Sequence, residues 1–506
     1  MPARAVRQGR KIPFGQRILW RARGWHMIQA MNSKPHTGPL FELGRIIGPK
    51  YVLTGADTAP WAHDWTGNAE WSPLAVLRPA NTAEVSAVLR LANQHRLSIV
   101  PVSGNTNLVK GTSAEGMLML SLERMSAIRE IRPEARIAIV EAGVIIANLH
   151  AASAEHDLIF PLTFGARGSA MIGGALSTNA GGSNVVRYGN TRDLCLGLEV
   201  VLPSGEVMNL MSELHKDNSG YDLRHLMIGA EGTLGIITAA VLKLAPKPRA
   251  YATAMVAVPS VNAALALLNR LQDETGGAVE AFEYMPRSFI DAYLERFPEA
   301  RPPFDTRHEV NILVELGARA PRDTTPGPDG SVPLVAHFEG VLAELLEDGT
   351  LLDAVVAQNS AQRAEIWARR ETSAQVLRMR SPVIDNDIAV ATDRMQTLLE
   401  RIEARSKAID PGIFNTGVAH LGDGNLHYAG FPSASDPALH RAIQRAVEEE
   451  VIALGGSFSA EHGIGLSKKP AMALHKDKAA LGVMRGIKTA LDPNNIMNPG
   501  KLLPDA

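Results

Sequence analysis

The chain has 506 residues, of which 45% are hydrophobic and 21% charged, with a net charge of −2. Those values describe a globular protein of two or three domains and give no electrostatic ground for nucleic-acid binding. One cysteine, Cys195, excludes an intrachain disulfide and a self-contained iron–sulfur cluster. No uninterrupted apolar run approaches the roughly 20 residues of a spanning helix, so a soluble protein is expected, with peripheral membrane contact left open.

Residues 1–41 contain eight Arg or Lys, with no acid before Glu42. Such a start resembles an organelle transit peptide. Yet Ser33 is its only serine, and Pro, Gly and Trp interrupt any helix, so a basic extension or a start at Met27 or Met31 is favoured. A cytoplasmic protein is expected, or a mitochondrial one if the segment is a transit peptide.

The spacing of Val85, Val88, Leu89 and Ala92 predicts a helix from Thr82, and Leu97 to Val102 reads as a strand. There follows the turn Ser103, Gly104, Asn105, Thr106, Asn107, running on to Gly111. Successive N–H groups in such a turn form a concave anion site, and glycine lets a pyrophosphate approach without a Cβ in the way. It is neither a Walker loop nor a G-x-G-x-x-G fingerprint. Arg136 to Ala142 reads as strand and Ala147 to His156 as helix. A glycine-rich block runs from Gly165 through Gly168, Ser169, Gly173, Gly174, Ser177 and Asn179 to Gly181 and Gly182. A flexible linker is the alternative, disfavoured because Met171, Ile172 and Leu176 are interleaved. Cys195 sits in the apolar run Leu194 to Val201 and reads as a core residue. Glu199 to Leu202 and Glu206 to Leu210 read as a hairpin across Pro203-Ser204-Gly205, and Lys247-Pro248 closes the block. Residues 250–455 alternate strands with amphipathic helices, and Pro321 to Pro333 reads as an exposed, mobile loop. The last helix of this part starts near Pro437 and ends at Gly455-Gly456.

The densest chemistry is His420-Leu-Gly-Asp-Gly-Asn-Leu-His427, followed by Glu461-His462-Gly463. If Asp423-Gly424 closes a two-residue type I′ turn, His420 and His427 are direct cross-strand partners, close enough to bind one cation. With Glu461 they form a His, His, carboxylate set that suits zinc or another divalent metal. Chance spacing around a surface turn is the plain alternative.

These motifs, with Arg187-Tyr188-Gly189, Gly229 to Thr238 and the tail Leu491 to Lys501, occur in an order that resembles the FAD-linked oxidases of the vanillyl-alcohol oxidase and p-cresol methylhydroxylase type. The nearest group is the D-2-hydroxyacid dehydrogenases acting on D-lactate, D-2-hydroxyglutarate or glycolate. The resemblance runs from about residue 60 to 503. It implies an α+β architecture: a lead-in over 1–59, a two-part FAD-binding domain of the p-cresol methylhydroxylase type over 60–248, an α+β cap with an antiparallel sheet over 249–455, and a segment over 456–506 that completes the flavin site. FAD, held without a covalent tether, would contact residues 103–107, the block from Gly168 to Gly182 named above, Glu231, Gly235, Ile237 and Asn498. Flavin N5 would accept the hydride, a metal on His420, His427 and Glu461 would hold the 2-hydroxyacid, and His462 would be the base. Asn425 would contact substrate and Arg370 its carboxylate. For Arg370 the alternative is a solvated helix charge among Arg363, Arg369 and Glu371.

Where 2-hydroxyglutarate enzymes carry a threonine and a lysine for the distal carboxylate, this chain has Ala374 and Asp385, which points to D-lactate or another monocarboxylic acid. The resemblance also implies an electron-transfer flavoprotein or quinone as acceptor, and allows for a homodimer. Two other readings are a flavin-dependent ether-lipid synthase, whose histidine-rich run is absent here, and a metal-binding scaffold without flavin.

Overall fold

The computed structural model describes residues 38–505; the basic segment of the sequence lies almost wholly outside them. Asn81 caps the helix Thr82–His95 by accepting from the Glu84 N–H, and Glu84 returns a bond to the Ala80 N–H, a reciprocal cap. Val85, Val88, Leu89 and Ala92 are buried on one face of that helix, as their spacing requires. It packs beside a four-stranded sheet ordered Val52–Leu53, Ala75–Leu77, Leu118–Ser121, Ile99–Val102, whose last three strands run parallel. A five-stranded antiparallel sheet follows, ordered Ile128–Arg132, Ile137–Glu141, Ile236–Lys243, Cys195–Val201, Val207–Leu210. One apolar core joins both sheets, and Cys195 belongs to it. Burial pushes that thiol up to about 12, which makes it inert as a nucleophile.

A seven-stranded antiparallel sheet is drawn entirely from residues 250–431: Asp353–Val356, Ala250–Val258, Val310–Ala318, Val279–Pro286, Phe414–His420, Asn425–Phe431, Ile384–Ala389. The helices Val261–Thr275, Pro333–Glu347 and Met395–Ile409 bury apolar stripes in its core. Residues 325–332 form an exposed loop between the short helix Pro321–Thr324 and Pro333. The helix Pro437–Ala453 ends before Gly455, which takes φ 74°, a left-handed value glycine adopts without strain. No helix of the described residues is long and apolar enough to cross a membrane.

The end of the chain returns to the first sheet. The Ile99 N–H donates to Ile496 O at 2.7 Å, and the Asn498 N–H donates to Ile99 O at 2.8 Å. Asp492 makes this return possible. Its buried carboxylate accepts from the N–H groups of Ile496 and Met497 at 3.0 and 2.8 Å and from Lys488 Nζ at 2.5 Å. Replacing it leaves two buried backbone donors unpaired and removes the counter-charge of Lys488, whose ammonium keeps only the carbonyls of Thr233 and Met497. Asp492→Ala is therefore expected to cost about 3 kcal/mol, measured as loss of stability in urea unfolding, with Asp492→Asn losing less.

Candidate active site

Strands Phe414–His420 and Asn425–Phe431 form the hairpin, but its register differs from the two-residue turn. His420 pairs with Asn425, Ala419 with Leu426 and Val418 with His427, so Leu421 to Gly424 form a four-residue connection. The cause lies outside the hairpin: the Leu421 and Gly422 N–H groups donate to Phe282 O on the neighbouring strand, and Leu421 is buried in the sheet core. Since side chains alternate with period two, a shift of two keeps both imidazoles on one face. Their centroids are 5.3 Å apart, edge to face.

Around them lie two carboxylates with opposite duties. Asp387, the cross-strand partner of His427, is fully engaged. Its Oδ2 accepts from the N–H groups of Glu461 and His462 at 3.0 and 2.9 Å and from Lys468 Nζ at 3.3 Å, and its Oδ1 accepts from Asn425 Nδ2 at 3.0 Å. Burial acts to raise this carboxyl, but His462, Lys468 and His427 outweigh it and hold it far below the usual range. Glu461 accepts no hydrogen bond at all from the described residues, and its Oε1 lies 3.4 Å from His427 Nε2 and 3.7 Å from His462 Nε2. His462 stacks on His427, with centroids 5.5 Å apart. Burial and the neighbouring positive groups push His427 well below its ordinary value, leaving the neutral form that ligates metals.

His420 is turned toward a third carboxylate. Its Nδ1 lies 2.7 Å from Glu283 Oε1, while Arg370 Nε donates to Glu283 Oε2 at 2.6 Å. Arg370 is buried, not a solvated helix charge, and its second guanidinium nitrogen lies 3.3 Å from the His420 ring. Burial works to raise the Glu283 carboxyl, yet His420 and Arg370 lower it to about 2. The metal-ligand atoms of Asp387, His427, Glu461 and His462 all lie within 4.8 Å of one another; His420 is outside that group. Sequence reasoning gave no role to Glu283, Asp387 or Lys468. Glu283 stands 137 residues from His420, and only the sheet order brings them together.

The glycine-rich segments converge on the same region. Among the described residues the backbone N–H groups of Gly104, Asn105, Thr106 and Asn107 donate to no protein acceptor, which is the condition of a loop built to receive an anion. Its shape is fixed from within: Asn105 takes φ 51° and accepts from Thr112 Oγ1, and Asn107 accepts from the Gly111 N–H. Gly104 lies so close to Ser169 that a Cβ would meet its carbonyl at 2.2 Å, and one on Gly174 would meet Ser103 at 3.1 Å. Gly168 faces open space, whereas Gly173 packs on Ala142 and Gly182 on Thr163. Ser177 closes on the Gly173 carbonyl, and Asn179 accepts from the Arg192 N–H. Gly235 and Ile237 lie against the strand at Val200.

Gly181 approaches Glu461, a Cβ there meeting Oε2 at 3.0 Å, so the glycine block and the histidine cluster abut. Glu231 binds the N–H groups of Ile464 and Gly465 at 2.7 and 2.8 Å. Asn498 donates to Gly111 O and Glu231 O while its buried Oδ1 has no partner. Free N–H groups, an orphaned acceptor and an open glycine together fit a dinucleotide.

Comparison with known proteins agrees. Residues 73–211 match the FAD binding domain family, and residues 247–502 match the C-terminal domain of FAD linked oxidases. The chain is 36% identical over 463 residues to D-2-hydroxyglutarate dehydrogenase of Xanthomonas citri pv. viticola, covering 88% of this chain and 93% of that protein. It is 33% identical over 471 residues to the mitochondrial D-2-hydroxyglutarate dehydrogenase of Bos taurus, covering 92% and 83%. Among solved structures, p-cresol methylhydroxylase with substrate bound superposes with a TM-score of 0.69 at 16% identity, covering 92% of this chain and 96% of that one. Alkyldihydroxyacetonephosphate synthase gives 0.68 at 16%, covering 94% and 87%. The architecture is thus the α+β one of the p-cresol methylhydroxylase type. The chain belongs to the FAD-linked oxidases, and within them to the FAD-dependent D-2-hydroxyacid dehydrogenase group.

Glu283→Gln should cost about 3 kcal/mol near neutral pH, because it leaves the buried Arg370 guanidinium without its counter-charge and the His420 Nδ1 without its carboxylate. A carboxyl depressed in the folded state stabilises fully above its unfolded value near 4.5 and loses that contribution as pH falls toward about 2. The variant's deficit, followed by urea unfolding, should therefore shrink on acidification below about pH 4.5.

Proposed function

We propose that this enzyme oxidises a D-2-hydroxyacid with a single carboxylate, of D-lactate size, to the 2-oxoacid, with a divalent metal at the histidine cluster. The observation that carries the metal reading is Glu461: a carboxylate with no hydrogen-bond donor of its own, set between imidazoles. Asp387 is near enough to be counted as a ligand, but its oxygens are already taken by backbone and side-chain donors, and this argues for an orienting role. His427 and Glu461, completed by His420, are the residues that would hold the ion. Glu283 fixes His420 by its Nδ1, and Arg370 Nη2 lies 3.3 Å from its Nε2, so His420 joins the ligands only when that guanidinium turns to the substrate carboxylate. FAD supplies the hydride acceptor and the metal a Lewis acid.

The remaining steps belong to side chains of this chain. His462 takes the proton of the 2-hydroxyl, and Asp387 and Glu461 stabilise the imidazolium that results. Arg370, buried and with donors to spare beyond its bond to Glu283, receives the substrate carboxylate. Asn425 donates both bonds of its amide nitrogen to Asp387 and Ile388 O, which leaves its carbonyl oxygen as the atom for a substrate contact. An electron-transfer flavoprotein or a quinone is the acceptor proposed, by analogy with the family.

The substrate's tail is read from Asp385. It stands two residues before Asp387 on the same strand, hence on the same face. It reaches solvent, yet protein surrounds it: burial and Asp387 raise its carboxyl against the pull of His462 and Arg378. A second substrate carboxylate there would meet like charge, a repulsion of about 1–4 kcal/mol at about 4 Å depending on the water that remains between them. D-2-hydroxyglutarate is the second reading, favoured by the names of the relatives. With an artificial electron acceptor, kcat/KM for D-lactate should exceed that for D-2-hydroxyglutarate by at least about tenfold, and Asp385→Lys should reverse the order. The reverse preference in the unaltered enzyme would assign it to the diacid. Complete chelation should lower kcat by about 100-fold or more while flavin absorbance is retained, and added zinc or manganese should restore it.

A further inference from the structure

On the side of the molecule where the two large cores are joined, the connection Pro246–Arg249 runs between the flavin sheet and the seven-stranded sheet. A cavity of about 660 Å³ opens there, and four cations line it: Arg136, Lys247, Arg249 and Arg319. Asp157 is the one acid in its wall. Among the described residues none of these five side chains makes a hydrogen bond or ion pair. Glu280, the buried acid in whose electrostatic field Arg319 lies, is already bonded to Arg187 and Tyr188. The surplus is therefore three positive charges around one space, a field that raises the local concentration of anions.

Arg136 and Asp157 take φ 52° and 55°, the first closing the turn at 133–136 and the second following the end of the helix Ile146–Ala154. Neighbouring bonds lock both loops to the connection: Leu244 N–H donates to Arg136 O, Lys247 N–H to Asp157 O, and Arg249 N–H to Ala318 O.

We infer that this cavity is a binding site for a small polyphosphate-bearing molecule of the nucleoside triphosphate class. Arginine forks bind phosphate in bidentate fashion, and lysine binds it as a point charge. A single phosphate would satisfy at most part of the surplus. The volume lies in the range of small-molecule sites, and Leu158 with the prolines 246, 248 and 321 gives the wall an apolar portion against which a base can lie. A ligand here would bind groups on both sides of the connection, Arg136 and Lys247 on one and Arg249 and Arg319 on the other.

The test uses FAD-loaded enzyme and ATP without magnesium in low salt, by isothermal titration calorimetry. One ATP should bind per chain with a dissociation constant below about 1 mM, and inorganic tripolyphosphate should displace it. The double variant Lys247→Glu/Arg249→Glu, both exposed and away from the hydroxyacid site, should keep its flavin spectrum and turnover while binding ATP at least about tenfold more weakly. No saturable binding, binding indifferent to tripolyphosphate, or unchanged affinity in the folded double variant would overturn the inference.

Discussion

The Asp387 carboxylate is the constraint from which the site takes its form. Buried in the middle of an edge strand, it can stay ionised only because backbone N–H groups, an amide and an ammonium converge on it. Those donors come from three places: the loop at 461–462, the start of strand Asn425–Phe431, and Lys468. Satisfying one charge therefore fixes the positions of Glu461 and His462 relative to His427, and a carboxylate spent on positioning leaves the other, Glu461, unbonded. Division of labour between two acids a few ångströms apart is how one pocket obtains both rigidity and an open ligand position.

Glu283 repeats the logic on the opposite side. It holds one imidazole and one guanidinium at once, so His420 and Arg370 cannot drift independently. The substrate would then be grasped by groups whose spacing is set by a single buried carboxylate. Such a pair contributes little net stability after desolvation; its value lies in geometry.

Local structure was legible in the sequence where local chemistry decides it. The helix at Thr82 carries its cap and its apolar stripe within about three turns of sequence, and Cys195 sits in a run too apolar to be anything but core. The facing of His420 and His427 was also legible, because period two survives a register shift. The register was not, since Asp423-Gly424 favours a tight turn locally while Phe282 O, far away in sequence, captures the Leu421 and Gly422 N–H groups. Glu283 and Lys468 escaped notice for a related reason: an isolated Glu or Lys in a sequence carries no mark of the partner that a distant strand will supply. The glycine segments were readable as a class, though only coordinates separate those facing open space, such as Gly168, from those like Gly173 and Gly182 that serve loop-to-loop packing.

The return of the last residues to the first sheet bears on how the enzyme is made. Asn498 bridges the carbonyls of Gly111 and Glu231, and Met497 sits beside Ile99. A chain whose distant parts have not yet met lacks these bridges, since the one to Gly111 spans 387 positions. The loop at 103–107 and the tail therefore join through long-range closure, which follows the local helices and strands in cost of chain entropy.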